Sequence, residues 1–156
     1  MRRDLVGVYL HSSAVLIGLR PHSDIDVIVV SMRRTSLDKK RSLLDLLLAL
    51  SGWGRSIRRP IELDVVVQSE IQPCRYPPAF DFHFNELWRK QFGSGKLQPW
   101  PTLTNRDLAS AITMTLVGDT ALFGPPPATR FPGRPSPQVR AYADFVVSEI
   151  ERRAQS

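Results

Sequence analysis

The fold is decided by the stretch Ser23-Asp24-Ile25-Asp26-Val27-Ile28-Val29-Val30. It places two carboxylates one residue apart before a run of β-branched apolar residues, which is typical of a strand buried on both faces. Because alternate residues of a strand project from the same face, Asp24 and Asp26 are expected to lie close together. Neighbouring anions repel each other, and burying them without a counter-ion is costly. The stretch therefore predicts a bound cation at the start of a buried strand.

A polyphosphate would complete this cation site. Hard divalent ions such as Mg²⁺ prefer oxygen ligands and are commonly held by one or two carboxylates together with substrate phosphates. Upstream, Ser12 and Ser13 follow a predicted strand, Leu5–Leu10, and precede a short apolar segment. Backbone N–H groups and a hydroxyl at such a turn into a helix bind phosphate. An isolated Asp-x-Asp pair is more often a solvated loop feature, but these two segments together predict phosphoryl or nucleotidyl transfer.

A third acidic group is expected, either to complete the metal shell or to deprotonate the attacking hydroxyl. Glu62 and Asp64 occupy alternate positions of a predicted strand, Ile61–Val67, and so share a face. Glu86 follows on a helix predicted over residues 82–92. The sequence leaves these three carboxylates open as alternatives, and for each the competing interpretation is an ordinary surface charge.

The histidines and tryptophans receive simpler interpretations. His11 and His22 are interpreted as polar loop residues because Mg²⁺ prefers oxygen ligands, and His83 is interpreted as a helix-surface group. The three tryptophans are expected to pack in the core rather than to stack on a ligand. They are Trp53, Trp88 and Trp100.

The order of elements predicts an α/β fold. Strands are predicted at Leu5–Leu10, 24–30 and Ile61–Val67. Between the last two, Ser36 caps a helix with leucines at helical spacing, which ends before Gly52 and Gly54. A further helix is predicted to begin near residue 104 and to run towards residue 124. Strand, helix and strand in this order favour an α/β unit.

The last part of the chain differs in composition. Residues 125–137 hold six prolines, which exclude regular helix and favour an extended linker. An amphipathic helix is predicted to follow. The sequence is therefore divided into a domain over residues 1–124, a Pro-rich linker over 125–137 and a C-terminal helix over 138–156.

The overall composition is that of a soluble globular protein. The chain has 156 residues, of which 42% are hydrophobic and 23% charged. The single Cys74 cannot form an internal disulfide, and together with the absence of an export signal it favours the cytoplasm. No stretch approaches the roughly 18 to 20 apolar residues of a membrane-spanning helix. The net charge of +6 favours anionic partners, but the basic clusters lack interleaved aromatics, so nucleic-acid binding is not expected.

Several ordered motifs resemble one known family. The run from His11-Ser12-Ser13-Ala14 to Ser23-Asp24-Ile25-Asp26 resembles the signature of DNA polymerase beta-type nucleotidyltransferases. It is most similar to that of the streptomycin/spectinomycin adenylyltransferases. Further segments are similar to that family in the same order. They are Glu62-Leu63-Asp64-Val65-Val66-Val67, Ile71-Gln72-Pro73-Cys74-Arg75-Tyr76-Pro77, Phe84-Asn85-Glu86 and Leu122-Phe123-Gly124-Pro125.

The resemblance implies a mixed β-sheet flanked by helices, the polymerase beta-like nucleotidyltransferase fold. It implies that Asp24 and Asp26 bind Mg²⁺ and that Glu86 is the general base. Of the strand carboxylates, Asp64 is expected as a further metal ligand. The substrates would be ATP and an aminoglycoside hydroxyl, and the product an adenylylated antibiotic that no longer acts, which gives resistance. The residues that would hold the ATP phosphates lie before and within the aspartate motif. They are Ser12, Ser13, Arg20 and Ser23.

A second interpretation keeps the fold but not the activity. Ser12 stands where the family usually has glycine, whose missing Cβ allows a close backbone approach. The chain is expected to be shortened at both ends, and the family's C-terminal helical domain is expected to be reduced to the linker and one helix. The alternative is therefore a truncated, catalytically weak nucleotide-binding or interaction module.

Overall fold

The computed structural model describes residues 3–11, 23–52, 59–71, 77–100, 103–104, 106–118 and 120–127. The strands are β1 Leu5–Leu10, β2 Ile25–Ser31, β3 Ile61–Val67, β4 Ala79–Phe80, β5 Phe82–Phe84, β6 Leu103–Thr104 and β7 Ala121–Phe123. The helices are α1 Leu37–Leu50, α2 Gln68–Ile71, α3 Arg89–Gly93 and α4 Arg106–Gly118, with a 3₁₀ turn at Glu86–Trp88.

Five of these strands form one mixed sheet in the order β5-β3-β2-β1-β7. Only β2 and β3 among them pair in parallel, joined by a crossover through α1, and the other neighbours are antiparallel. Strands β4 and β6 pair separately. The predicted α/β fold with a mixed sheet is confirmed, as are the predicted strands β1 and β3 with their bounds.

Helices cover both faces of the sheet, so β2 is buried on both sides as its apolar run predicts. Ile28 and Val30 pack with residues of α4, whereas Val29 packs with residues of α1. The predicted helix α1 is confirmed with Ser36 at its N-cap position, although the Ser36 side chain makes no capping hydrogen bond. Alternate side chains of β2 thus point to opposite sides of the sheet, which we call the α4 face and the α1 face after the helices that cover them.

The single helix predicted over residues 82–92 is wrong in its first part. Phe82–Phe84 is a strand whose two phenylalanines pack on the α1 face. It pairs with β3 in the register Val65 to Phe82, Asp64 to His83 and Leu63 to Phe84. The two phenylalanines alternate with His83, as side chains do in a strand, and an edge of β3 is available for pairing, so this segment forms a strand. The helical part begins only after Asn85.

The helix predicted to run towards residue 124 ends earlier, at Gly118. Residues Ala121–Phe123 instead pair with β1 as the strand β7. Gly124 follows with φ +88, and a Cβ there would lie 2.4 Å from the carbonyl oxygen of Val6. Only glycine fits this close crossing of β1 in this backbone conformation.

The described residues end at 127, so most of the predicted linker and the whole predicted C-terminal helix lie outside them. Within the described residues, no helix has the length and apolar character needed to span a membrane.

Candidate functional site

The candidate site lies at the amino ends of the two parallel strands, on the α4 face of the sheet. Asp26 of β2 is in register with Glu62 of β3, and Ile28 is in register with Asp64. Residues in register project from the same face, so the carboxylates of both strands converge there. Asp24 lies directly before β2. We call Asp24, Asp26, Glu62 and Asp64 the carboxylate cluster.

The carboxylate cluster is crowded with negative charge. Asp26 and Asp64 are buried. Burial, followed by the negative charges of Asp64 and Asp26, raises the pKa of Glu62 to about 7, and the charge of Asp24 adds to the same effect. Burial and the charge of Glu86 also raise the pKa of Asp24. The donor set consists of carboxylate oxygens that repel one another, which is what a hard divalent cation relieves.

Glu86 borders the same pocket as Asp24 and Glu62 but is held by other partners. Its Oε2 accepts a hydrogen bond of 2.5 Å from the Ser51 hydroxyl, and its Oε1 accepts one of 3.2 Å from Arg89. Arg89 also donates to the carbonyl oxygen of Leu48 at the end of α1. Both oxygens of Glu86 are thus engaged in joining the 3₁₀ turn to helix α1.

His83 occupies a different position from the predicted one. It lies in β5 rather than on a helix surface, and its Nδ1 is 2.6 Å from Asp64 Oδ1. Burial alone would lower the pKa of His83, but the hydrogen bond and charge of Asp64 outweigh it and raise this pKa. Ligand atoms of Glu62, Asp64 and His83 lie within 4.8 Å of one another. The alternation Phe82-His83-Phe84 was the sequence signal that could have placed this histidine.

His11 is likewise more buried than a polar loop residue. It is 3% exposed at the end of β1, where its backbone N–H donates to the carbonyl oxygen of Asp26. Burial lowers the pKa of His11 to about 4, partly opposed by the negative charge of Asp64. The His11 side chain beside the carboxylate cluster is therefore uncharged at neutral pH.

Part of the predicted phosphate site lies outside the described residues, namely Ser12, Ser13 and Arg20, and so does His22. Ser23 is described, and its carbonyl oxygen accepts a hydrogen bond of 3.4 Å from Arg59. The phosphate-binding roles of these residues stay predictions.

The tryptophans differ from one another. Trp100 packs against the α1-face core and stacks on Phe82 with ring centroids 6.3 Å apart, which confirms its predicted packing role. Trp88 is 47% exposed, so the packing prediction is wrong for it. Trp53 lies outside the described residues.

Relatives with similar sequences are adenylyltransferases named for spectinomycin or for aminoglycosides. Over 123 residues the chain is 37% identical to a spectinomycin 9-adenylyltransferase of Staphylococcus aureus and to an aminoglycoside (3'')(9) adenylyltransferase of Klebsiella pneumoniae. A spectinomycin 9-adenylyltransferase of Campylobacter jejuni is 33% identical over 97 residues. The chain is homologous to aminoglycoside adenylyltransferases. No family model matches it.

The solved structure of another adenyltransferase is also similar to this chain. The spectinomycin adenyltransferase from Enterococcus faecialis, solved with ATP and spectinomycin, matches 90% of this chain with a TM-score of 0.82 and 26% sequence identity. The nucleotidyltransferase fold implied by the sequence motifs is therefore confirmed. The match covers 57% of that structure, and the alignment to the Staphylococcus aureus adenylyltransferase covers 78% of this chain and 46% of the relative. The chain thus spans about half the length of these relatives.

Proposed function

We propose that this protein transfers AMP from ATP to a hydroxyl group of an aminoglycoside-type antibiotic, of the spectinomycin or streptomycin class, in a Mg²⁺-dependent reaction. The observation that carries the proposal is the carboxylate cluster on two parallel strands of a chain homologous to adenylyltransferases. Residues 1–124 would form the nucleotidyltransferase domain, followed by the linker 125–137 and the C-terminal helix 138–156.

In this proposal Asp24 and Asp26 hold the metal, and Asp64 is a further ligand. All three offer carboxylate oxygens, the donors that Mg²⁺ prefers. Bound Mg²⁺ would neutralise charge on the triphosphate during transfer. Ser12, Ser13, Arg20 and Ser23 are proposed to bind the phosphates.

We assign the role of general base to Glu62 in preference to Glu86. The Glu62 carboxylate lines the same pocket as Asp24. Its pKa is raised to about 7 by burial and by the charges of Asp64 and Asp26, and a cation bound to those carboxylates would lower it, so that Glu62 is ionised and can accept a proton at neutral pH. Glu86, by contrast, has both oxygens bonded to Ser51 and Arg89. Glu62 would take the proton of the acceptor hydroxyl while that oxygen forms a bond to the α-phosphorus. The bond from this phosphorus to pyrophosphate breaks at the same time.

Mass spectrometry tests the proposal directly. The full chain is incubated with ATP, Mg²⁺ and either spectinomycin or streptomycin, and an adenylylated drug and pyrophosphate are the expected products. Asp26→Ala and Glu62→Gln should lower transfer by about 10²-fold or more, because each removes a group acting at the reacting centre.

Glu70→Gln is the matched control for Glu62→Gln. Glu70 lies in α2, beyond the opposite end of β3, and forms an ion pair of 2.5 Å with Arg34. The same chemical change there should leave transfer unchanged. Binding of ATP and Mg²⁺ without product for any drug would contradict the proposed transfer and favour a nucleotide-binding module.

A further inference from the structure

Two side chains, His83 of β5 and Asn85 after it, form a continuous hydrogen-bonded chain to Asp64. Asn85 Oδ1 accepts a hydrogen bond of 3.2 Å from the backbone N–H of Trp88. Its Nδ2 lies 3.0 Å from His83 Nε2, and His83 Nδ1 lies 2.6 Å from Asp64 Oδ1. The chain links the backbone of the 3₁₀ turn to the carboxylate cluster.

The direction of each hydrogen bond follows from the first one. Because Asn85 Oδ1 accepts from Trp88, the amide group that faces His83 is the donor Nδ2. His83 Nε2 must then accept and carries no proton. The remaining proton lies on Nδ1, which donates to Asp64. The neutral ring therefore has its proton on Nδ1, and the further protonation of Nε2 that the raised pKa of His83 favours would require Asn85 to release Trp88.

The arrangement restricts the orientation of Asp64. Its side chain is 6% exposed, and one oxygen accepts the hydrogen bond from the imidazole. A carboxylate has a second oxygen with its own lone pairs, which can coordinate a cation at the same time. Hydrogen-bonding partners of metal ligands fix ligand orientation, and their loss typically lowers metal affinity by about 10 to 100-fold.

We propose that His83, oriented by Asn85, is a positioning residue for the metal site, directing Asp64 towards the cation held by Asp24 and Asp26. This rests on the metal site of the proposed function. His83 itself is not a metal ligand in this proposal, because Nδ1 donates to Asp64 and Nε2 accepts from Asn85.

Two amide substitutions distinguish the role of Nδ1 of His83 from the role of Nε2. In His83→Asn the amide nitrogen lies near the position of Nδ1 and can still donate to Asp64. In His83→Gln the amide reaches the position of Nε2 instead and leaves Asp64 without this donor. Mn²⁺ affinity of the full chain is measured by water-proton relaxation, with a non-hydrolysable ATP analogue present.

The expected result is Mn²⁺ affinity about 10-fold or more below wild type in His83→Gln, with near wild-type affinity in His83→Asn. Circular dichroism of each variant shows whether it is folded. Equal Mn²⁺ affinity in wild type and both folded variants would overturn the positioning role alone. Failure of the wild type to bind Mn²⁺ more tightly than Asp26→Ala would overturn the metal site and, with it, this inference.

A measurement on the unmodified protein keeps the proposal falsifiable if both variants unfold. The chain has three histidines, so long-range ¹H–¹⁵N spectra resolve the tautomer of each ring. At a pH above the raised pKa of His83, where the ring is neutral, the expected result is a proton on Nδ1 before and after addition of Mg²⁺ and the ATP analogue. Loss of the Nδ1 proton on metal addition, or an Nε2–H tautomer throughout, would overturn the proposal.

Discussion

Glu62 and His11 change their proton affinity in opposite directions when the chain folds. The pKa of Glu62 rises from 4.5 to about 7, through burial and the charges of Asp64 and Asp26. Its contribution to stability is therefore fully present below pH 4.5 and is lost as the pH rises through about 7. The pKa of His11 falls from 6.5 to about 4. Its contribution is present above pH 6.5 and is lost as the pH falls through about 4.

Because the two effects oppose each other, removing the Glu62 carboxyl in Glu62→Gln should reveal the pH dependence of stability that His11 causes. Without the Glu62 carboxyl, the free energy of unfolding should rise more steeply between pH 4 and 6.5 than in the wild type. The shift in the pKa of His11 corresponds to a rise of up to about 3 kcal/mol. Denaturant unfolding across this pH range measures it, with Glu70→Gln as the control. A variant with the same pH dependence as the wild type would contradict the raised pKa of Glu62.

A second prediction at the residue scale separates Glu86 from Glu62. Glu86→Gln weakens the contacts with Ser51 and Arg89, so it should lower the free energy of unfolding by about 1 to 3 kcal/mol. Its rate of drug adenylylation should stay well above that of Glu62→Gln, because general bases contribute about 10² to 10⁴-fold. The two variants are compared by urea unfolding and by initial rates. Loss of transfer in Glu86→Gln with unchanged stability would instead make Glu86 the base.

At the scale of elements, one buried ion pair joins helix α1 to the segment that carries β4 and β5. Lys40 Nζ lies 2.7 Å from Oδ1 of Asp81, which is fully buried. Asp81 Oδ2 also accepts a hydrogen bond of 2.7 Å from the backbone N–H of Thr35, before α1. Its backbone N–H in turn donates to the carbonyl oxygen of Val65. Asp81 thereby holds the start of α1 against β3 and β5.

Lys40→Met should therefore destabilise the fold by about 3 to 5 kcal/mol, because it leaves the Asp81 charge buried and uncompensated. The double variant Lys40→Met/Asp81→Asn removes that charge and should recover part of the loss. Arg41→Met is the control, since Arg41 is exposed and lies 3.9 Å from Asp38, a pair expected to contribute less than about 1 kcal/mol. Chemical denaturation measures all three. Equal effects of Lys40→Met and Arg41→Met would contradict a structural role for the pair.

The same elements show where prediction from sequence succeeds and where it fails. The sequence predicts strands β1 and β3 and helix α1 because their apolar periodicity is strong and local. The sequence predicts helix where β5 lies and the end of a helix where β7 lies, because each of these strands has only three residues. So short a segment carries little periodicity of its own. Its conformation is decided by the free edges of β3 and β1, which are distant in sequence.

At the scale of the whole molecule, binding of ATP with Mg²⁺ should stabilise the fold. A ligand that binds only the folded state adds about 2.7 kcal/mol to stability at 100 times its dissociation constant. Thermal unfolding with ATP and Mg²⁺ should therefore show a higher Tm than unfolding with ATP and a chelator. Asp26→Ala should abolish the difference, because it removes a carboxylate of the cluster. An equal rise in Tm without any divalent cation would contradict the proposed metal dependence.

The sequence by itself determined the α/β class, the strand that begins at the aspartate motif and the family resemblance. It also identified Glu62, Asp64 and Glu86 as candidates for the third carboxylate. These inferences depend on residues close together in the chain, whose spacing sets which side chains share a face of a strand or helix.

Only the tertiary structure decided how those candidates differ. It placed Glu62 and Asp64 beside Asp26, bonded Glu86 to Ser51 and Arg89, and brought His83 to Asp64. The physical reason is that burial, charge proximity and hydrogen-bond partners depend on which strands become neighbours. That pairing joins segments separated by tens of residues, so no local pattern encodes it.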